Sequence, residues 1–489
     1  MLFNSHIFIL LFLPLLLAGW YFLNWKKKFQ LAQGYLIGMS LWFYAYANLQ
    51  YLWLLLFSCL IGWLLSCLPE KIFSEKGKKV LTGIGCVFHL GLLGYFKYSN
   101  FFLENLNTVF HTDFPMLQIL LPVGISFYTF QQLAYLIDRC RGDAPRDSFF
   151  DYLTFMVYFP QLLQGPILLR SEFMGQLKEP ERRRFHAERF SEGIQFFVFG
   201  LAKKVLLADT LAKAVNYGYS NVSMLDSISA LLLAVGYLTE LYFDFSGYCD
   251  MAVGLGKMIG LEVAENFDAP FHSASVKEFW RRWHMTLGRF FTRYVYIPLG
   301  GNRRGKMRTL CNVMIVMLLS GLWHGAAWTF VLWGFLHGVG MIWDNLEHPH
   351  LPKKWMRQAA TFAYVCMTFV FFRAESIAQG IDVLKSIVSL KWNGFVFQMA
   401  SALDMTECYI ITKALSMKLP GLLSWFWLGI FVVLIAICFR VLSGEKVSGV
   451  VALQRQKGYG RLYPVLLAVL FTWSMISMTG VSEYLYFSF

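Results

Sequence analysis

Charge is scarce in this sequence. Asp, Glu, Lys and Arg make up 15% of its 489 residues, against about 25% in an ordinary soluble domain. A chain of this size therefore lacks the polar side chains to clothe a water-facing surface, which excludes a soluble enzyme and implies an integral membrane protein. Interruptions of the apolar runs are scarce too. At roughly 20 apolar residues per crossing those runs supply on the order of ten helices, and their unbroken length excludes the weak alternation of a transmembrane barrel. The nine cysteines contain no CxxC pair and mostly sit inside apolar runs, so packing is the role they suggest. No polar stretch is long enough for a separate soluble domain, no internal repeat appears, and nothing points to a nucleic-acid partner. Residues 1–489 read as one membrane domain, with spans over 1–150, a core over 151–345 and further spans over 346–489.

The cations outnumber the acids, 43 Lys and Arg against 30 Asp and Glu, and in a membrane chain their position orients the spans. The run from Leu2 to Leu23 has no basic residue before it, and Lys26, Lys27 and Lys28 follow it. That order reverses a signal peptide and puts the N-terminus outside and the triple lysine in the cytoplasm. Leu31 to Tyr46 and Tyr51 to Leu68 predict a tight hairpin returning to Lys71, Lys76, Lys78 and Lys79. Val80 to Leu103 then exits, and Met116 to Ile137 re-enters toward Arg139, Arg141 and Arg146.

Two segments fit no simple crossing. Tyr152 to Leu169 is broken by Pro160, Gly165 and Pro166 and has basic clusters on both sides. It reads as re-entrant or interfacial, because irregular backbone at membrane depth is tolerated only where protein or a water-filled cavity satisfies it. Glu262 to Arg308 sets Arg281, Arg282, Arg289, Arg293, Arg303, Arg304, Lys306 and Arg308 among Trp280, Trp283, Phe290, Phe291 and Tyr294, and reads as amphipathic and cytoplasmic. The remaining spans are expected at Ile194–Val215, Ile228–Phe245, Leu310–Val331, Leu332–Asp344, Ala359–Phe372, Phe426–Leu442 and Leu462–Met478.

Chemistry has to come from polar residues in apolar surroundings. His324 stands out, since no Asp, Glu, Lys, Arg or other His lies between Arg308 and His337; a polar group at that depth is a functional hypothesis by default. The plainer alternative is a ring bonded to helix carbonyls. Gly321 and Gly325 flank it and leave room for a ligand or a second helix. Taken alone, His284 in the arginine-rich segment reads as a surface histidine. His337 lies thirteen residues after His324, a spacing that matches no compact zinc motif, so no metal is expected. Asp244 and Asp250 suggest either a proton relay, as in a transporter, or carboxylates bonded to helix ends or to the arginine-rich segment.

These residues carry a resemblance. LPVGISFYTFQQLAYLID (121–138), YFPQLLQGPILLRSEF (158–173), YFDFSGYCDMAVGLGKMIG (242–260), NFDAPFHSASVKEFWRRWHMTLGRFF (266–291), YIPLGGNRRG (296–305), GLWHGAAWTFVLWGFLHG (321–338), VFFRAES (370–376) and the terminal YLYFSF (484–489) resemble the membrane-bound O-acyltransferases of the bacterial alginate O-acetylation type. That branch in turn is similar to the membrane protein of lipoteichoic acid D-alanylation. The FWRRWH and GLWHG blocks, in that order, are its specific part. The resemblance implies an all-α polytopic membrane fold, with roughly ten or eleven transmembrane helices and re-entrant segments ringed around a central tunnel. It implies two signature histidines, His324 and His284, as catalytic residues. One departure is visible: Thr292, Arg293 and Tyr294 stand where relatives commonly carry Arg-Asp-Tyr, so the acidic residue is missing.

By the same resemblance the expected activity is O-acyl, specifically O-acetyl, transfer to an exopolysaccharide or cell-wall polymer across a bacterial cytoplasmic membrane. A cytoplasmic acyl thioester, acetyl coenzyme A or an acylated carrier protein, enters from below as substrate, with no bound cofactor. An acceptor hydroxyl enters from above, and His324 activates it while His284 orients the thioester or stabilises charge. Arg281, Arg282, Trp283, Arg303, Arg304 and Trp323 are the expected donor-binding residues. The expected partners are the lipid membrane, that donor, and an extracytoplasmic hydrolase-like acyltransferase. The alternatives are transfer of D-alanyl or another acyl group, and a transporter without acyl-transfer chemistry.

Overall fold

The computed structural model describes residues 1–67, 75–346, 353–442, 446–458, 460, 462–478, 484 and 485. Lys71 and residues 486–489 of the terminal motif lie outside the described residues. Among the described residues all regular structure is helical. The first half contains α1 (Leu13–Trp25), α2 (Phe29–Cys67), α3 (Glu75–Leu93), α4 (Ser99–Phe110), α5 (Ile125–Arg141), α6 (Phe149–Val157), α7 (Phe159–Leu162), α8 (Arg170–Leu177), α9 (Ala187–Ala202), α10 (Asp209–Ser220) and α11 (Ser227–Ile259). After it come α12 (Val276–Arg282), α13 (Met285–Phe291), α14 (Lys306–His324), α15 (Trp328–Asn345), α16 (Lys354–Arg373), α17 (Ile377–Val388), α18 (Phe395–Ser401), α19 (Tyr409–Lys418), α20 (Pro420–Leu442), α21 (Val447–Lys457) and α22 (Leu462–Ser477).

Among the described residues six helices are long and apolar enough to cross a membrane: Phe8–Trp25, Leu49–Cys67, Lys76–Phe110, Ser227–Ile259, Lys306–His324 and Pro420–Val441. Their outward side chains are apolar and exposed, Trp53, Val87 and Ile437 among them, the reverse of a water-soluble surface. The 33-residue α11 is the enclosed one. Of its apolar window 78% is buried, against 17–39% in the other five, so the rest of the molecule is built around it. It meets α9 backbone to backbone: a Cβ on Gly200 would lie 2.5 Å from the Gly247 carbonyl oxygen, and one on Gly193 2.6 Å from that of Gly254. Both helices repeat glycine every seven residues, so the same face is bare twice along each, and small residues of this kind let membrane helices approach closely.

The expected hairpin near Tyr46–Tyr51 is present in a form the sequence did not suggest. Helical hydrogen bonding runs from Phe29 to Cys67 as one 39-residue stretch, because the segment between the two runs contains no Gly or Pro to stop it. Yet both ends of α2 meet one short segment. The Gln33 amide donates to Asp151 Oδ1 at 2.9 Å, the Trp63 indole N–H donates to the Asp147 carbonyl at 3.1 Å, and the Trp63 ring packs on Phe149. A straight helix would hold residues 33 and 63 about 45 Å apart at about 1.5 Å per residue, so α2 folds back on itself.

Three boundaries differ from expectation. Residues 111–124 are not helical, although the span was expected from Met116. Pro115 and Pro122 remove backbone donors there, and α5 begins only after Gly124. The central helix does not end at Phe245 but continues to Ile259, because its carboxylates are paired. Lys204 Nζ binds Asp244 at 2.6 Å and Asp209 at 2.9 Å, and Lys203 Nζ binds Asp250 at 2.6 Å. The partners are thus lysines beside α9, not helix ends or the arginine-rich segment. Last, the turn between α14 and α15 falls at residues 325–327, not at Val331. Gly325 and Ala327 adopt extended backbone on either side of a bend at Ala326, and helix resumes at Trp328.

Candidate active site where two buried histidines meet

His284 and His324 are 40 residues apart in sequence, and the fold brings their ring centroids to 6.4 Å. Neither is at the surface: His284 is 0% and His324 4% exposed, which corrects the surface reading of His284. The reason is local. The arginine-rich segment is not one amphipathic helix but two short ones, α12 and α13, joined at His284. That residue adopts left-handed backbone, φ 46° and ψ 51°, a conformation that costs a non-glycine residue roughly 1–2 kcal/mol and that clusters at functional sites.

What holds His284 there is Asn266. Its side-chain oxygen accepts from the Thr286 N–H at 3.1 Å and the Thr286 hydroxyl at 3.0 Å, and its carbonyl accepts from the Met285 N–H at 3.0 Å. The same Oδ1 lies 3.3 Å from His284 Nδ1. Because that oxygen is an acceptor, Nδ1 carries the hydrogen and the lone pair of the ring is at Nε2. Burial pushes the His284 pKa down to about 3, so the ring is neutral across the physiological range. Thr286 also accepts the Ile167 N–H at 3.0 Å, which ties the irregular Tyr152–Leu169 segment to the same node. Arg289 clamps that segment from its other side, forking onto Glu172 and donating to the Ile167 carbonyl.

His324 is the last residue of α14. Its ring is walled by Trp323, Trp333 and Phe372, with centroids at 4.9, 5.1 and 5.2 Å. The α14–α15 hairpin is tight enough for this because a Cβ on Gly321 would lie 2.3 Å from the Phe330 carbonyl oxygen, and one on Gly334 2.4 Å from that of Met317. His337, considered beside His324 from its spacing, is engaged elsewhere. Trp280 donates to its Nδ1 at 3.2 Å, and its Nε2 lies 2.9 Å from Thr368. Among the described residues no group of three His, Cys, Asp or Glu side chains converges on one point.

Two cavities lie near this pair, one bordered by His324 and the other by Asn266, not by His284 itself. His324 borders a cavity of about 40 Å³ with Lys97, Pro122, Gly124, Ser126 and Trp323, room for one or two waters or a single hydroxyl group. Asn266, the partner of His284, borders a much larger one of about 1080 Å³, which runs past the Lys203–Asp250 pair, Glu265 and Lys446. A neutral imidazole beside the small cavity has the lone pair needed to take a proton from a hydroxyl placed there.

The expected donor-binding residues are not brought together. Arg281, Arg303 and Arg304 are exposed. Arg282 is paired with Glu278 at 2.9 Å and donates to the Asp268 carbonyl at 3.2 Å. Trp283 is seated in an aromatic core against Phe267, Phe279 and Phe369, and Trp323 stacks on Phe130 beside the small cavity. The sequence reading missed Asn266, whose role depends on contacts it makes 18 and 20 residues away, and Lys97, whose only signal was being the lone charge between Lys79 and Glu104.

Comparison with known proteins places the chain in a family. The model of the membrane-bound O-acyltransferase family matches residues 141–380, which contain both histidines. The chain is 36% identical over 423 residues to the peptidoglycan O-acetyltransferase of Helicobacter pylori, covering 80% of each chain. It is 39% identical over 389 residues to the probable alginate O-acetylase of Azotobacter vinelandii, covering 77% of this chain and 76% of that one. With the teichoic acid D-alanyltransferase of Bacillus subtilis it shares 28% over 271 residues, 52% of this chain and 69% of that one. Similarity at 36% identity along four-fifths of its length, together with an all-helical membrane fold, establishes that the chain belongs to the membrane-bound O-acyltransferase family.

Proposed function

We propose that this protein carries an acetyl group from a cytoplasmic acyl thioester to an extracytoplasmic hydroxyl, for O-acetylation of a bacterial exopolysaccharide or cell-wall polymer, in the cytoplasmic membrane. The observation that carries the reading is the pair of buried histidine rings 6.4 Å apart, with His324 at a small cavity and Asn266, the partner of His284, at a much larger one. In this mechanism the His324 imidazole takes the proton of the acceptor hydroxyl as its oxygen attacks the thioester carbonyl. The C–S bond then breaks, and the thiolate leaves with the proton returned from the imidazolium. His284, neutral and held by Asn266, orients the thioester. The transporter alternative loses its main support, since both buried aspartates are neutralised by lysines.

The exposed arginines Arg281, Arg303 and Arg304 attract the anionic donor, whether coenzyme A phosphates or an acidic carrier protein. Arg303→Glu with Arg304→Glu is expected to raise the apparent KM for donor on the order of tenfold at low salt, less at high salt, with insertion unchanged. An unchanged KM at low salt assigns these arginines to anionic lipid headgroups instead.

Acceptor selection needs a second protein. The segments expected to face outward, 104–115, 216–227 and 404–420, hold the end of α4, the end of α10 and the short α19, too little to build a shaped polar groove that grips successive sugars. Purified protein in liposomes, with acetyl coenzyme A inside and alginate or peptidoglycan fragments outside, tests both points. Donor consumption that requires an added hydrolase-like acyltransferase supports the relay. Ester on the polymer without it removes the partner, and no donor consumption under either condition removes the proposed reaction.

A further inference from the structure

The end of α14 poses an accounting problem. A helix leaves its last four carbonyls without partners inside the helix, and here the last residue is His324 itself. All four are nevertheless satisfied. The Gly321 oxygen accepts the Gly325 N–H at 3.4 Å, and the Leu322 oxygen accepts the Tyr98 hydroxyl at 2.6 Å. The oxygens of Trp323 and His324 both accept from Lys97 Nζ, at 2.7 and 2.8 Å. Three of the four bonds therefore come from two adjacent side chains more than 220 residues away in sequence.

Those two side chains sit on a local irregularity. Residues Gly94–Tyr98 form one π-helical turn inside the otherwise continuous helix Lys76–Phe110. A π turn inserts an extra residue and re-aims the side chains around it, and such turns recur at functional sites. Lys97 is half-buried in an apolar stretch, no carboxylate among the described residues bonds to it, and a cation in that position needs compensation. The negative end of the α14 dipole supplies it, so cation and helix end stabilise each other. Lys97 also borders the small cavity that His324 borders.

We propose that Lys97 is a positioning residue for His324: by capping the last carbonyls of α14 from the π turn, it fixes the backbone that aims the imidazole at the small cavity. The proposal rests on the reading of His324 as the base. Its effect belongs on the chemical step, because a terminal helical turn that frays moves the ring without touching the donor-binding surface.

The test is steady-state acetyl transfer by the reconstituted full chain with acetyl coenzyme A as donor, measured for Lys97→Met, Lys97→Arg and His324→Ala together with thermal melting. Lys97→Met keeps length and removes the cation. Its kcat is expected to fall about thirtyfold, toward the scale of a misplaced catalytic group, with donor KM essentially that of the parent and the melting temperature somewhat lower, because the Trp323 and His324 carbonyls lose their donor. Lys97→Arg, which retains charge and donors, is expected to recover most of that loss. Wild-type kcat in Lys97→Met overturns the proposal, as does a loss confined to KM, or an equal loss in both variants accompanied by an equal fall in melting temperature. If Lys97→Met fails to insert, Tyr98→Phe decides in its place: removing only the bond to the Leu322 oxygen lowers kcat at unchanged melting if the cap aims the ring, and leaves kcat unchanged if it does not. Full activity in His324→Ala would remove the underlying reading, whereas an inactive His324→Ala beside a fully active Lys97→Met removes the positioning role alone.

Discussion

Replacing His324 with alanine is expected to leave a folded, membrane-inserted protein whose acyl transfer is lower on the order of a hundredfold or more, the usual scale for loss of a general base. The structure explains why the fold survives. The ring contacts Trp323, Trp333 and Phe372; Trp333 and Phe372 also pack on each other and on Phe369 and Phe330, and Trp323 packs on Phe127 and Phe130, so the aromatic wall persists when one member is removed. The helix end is held through backbone carbonyls, by Lys97 and Tyr98, and those bonds do not need the imidazole. Initial rates of transfer to an added acceptor, read beside a melting curve, separate the two effects. Wild-type acylation by His324→Ala would sink the catalytic reading. His284→Ala is expected to lower transfer less, because the Asn266–Thr286 node that carries the backbone of α13 remains in place.

The second large effect is expected from a single methyl group. In Gly321→Ala the new Cβ would lie 2.3 Å from the Phe330 carbonyl oxygen and 3.2 Å from the Gly334 Cα, and both are backbone atoms that no rotamer change can move. The α14–α15 hairpin must open, at a cost of about 1–3 kcal/mol for overpacking. Gly321 is one turn before His324, so the displacement passes directly to the ring, and a shift of about 1 Å lowers catalysis on the order of a hundredfold. Gly83→Ala provides the control, since a Cβ there meets nothing within 4 Å and alanine favours the helix by up to about 1 kcal/mol. A lower melting temperature and lost transfer in Gly321→Ala, with neither in Gly83→Ala, is the expected result. Parent-like values in both would show that the hairpin has slack and that its close approach does not set the position of His324.

Several features were legible in the sequence because they depend on one segment at a time. The shortage of charge required a membrane, and the apolar runs located most helices. Pro160, Gly165 and Pro166 marked an irregular segment, and His324 was conspicuous by its apolar surroundings. Boundaries were less legible. The turn after His324 comes from three small residues that break no hydrophobic run, so hydropathy carried the span on to Val331. Likewise the central helix was cut short at Phe245 because Asp244 and Asp250 look unfavourable until Lys203 and Lys204 are seen to neutralise them.

By itself, then, the sequence determined that this chain is a helical membrane protein of the O-acyltransferase type, with His284 and His324 as its candidate chemistry. Composition, period and motif are properties of the chain alone. Only the tertiary structure decided that His284 is buried in a left-handed turn held by Asn266, that the two rings meet at 6.4 Å, and that Lys97 closes the helix ending in His324. Each of these depends on which backbone groups are left without a partner once the helices have packed. In a water-poor interior every such group must find a partner wherever in the chain one is available, and sequence distance places no limit on where that is.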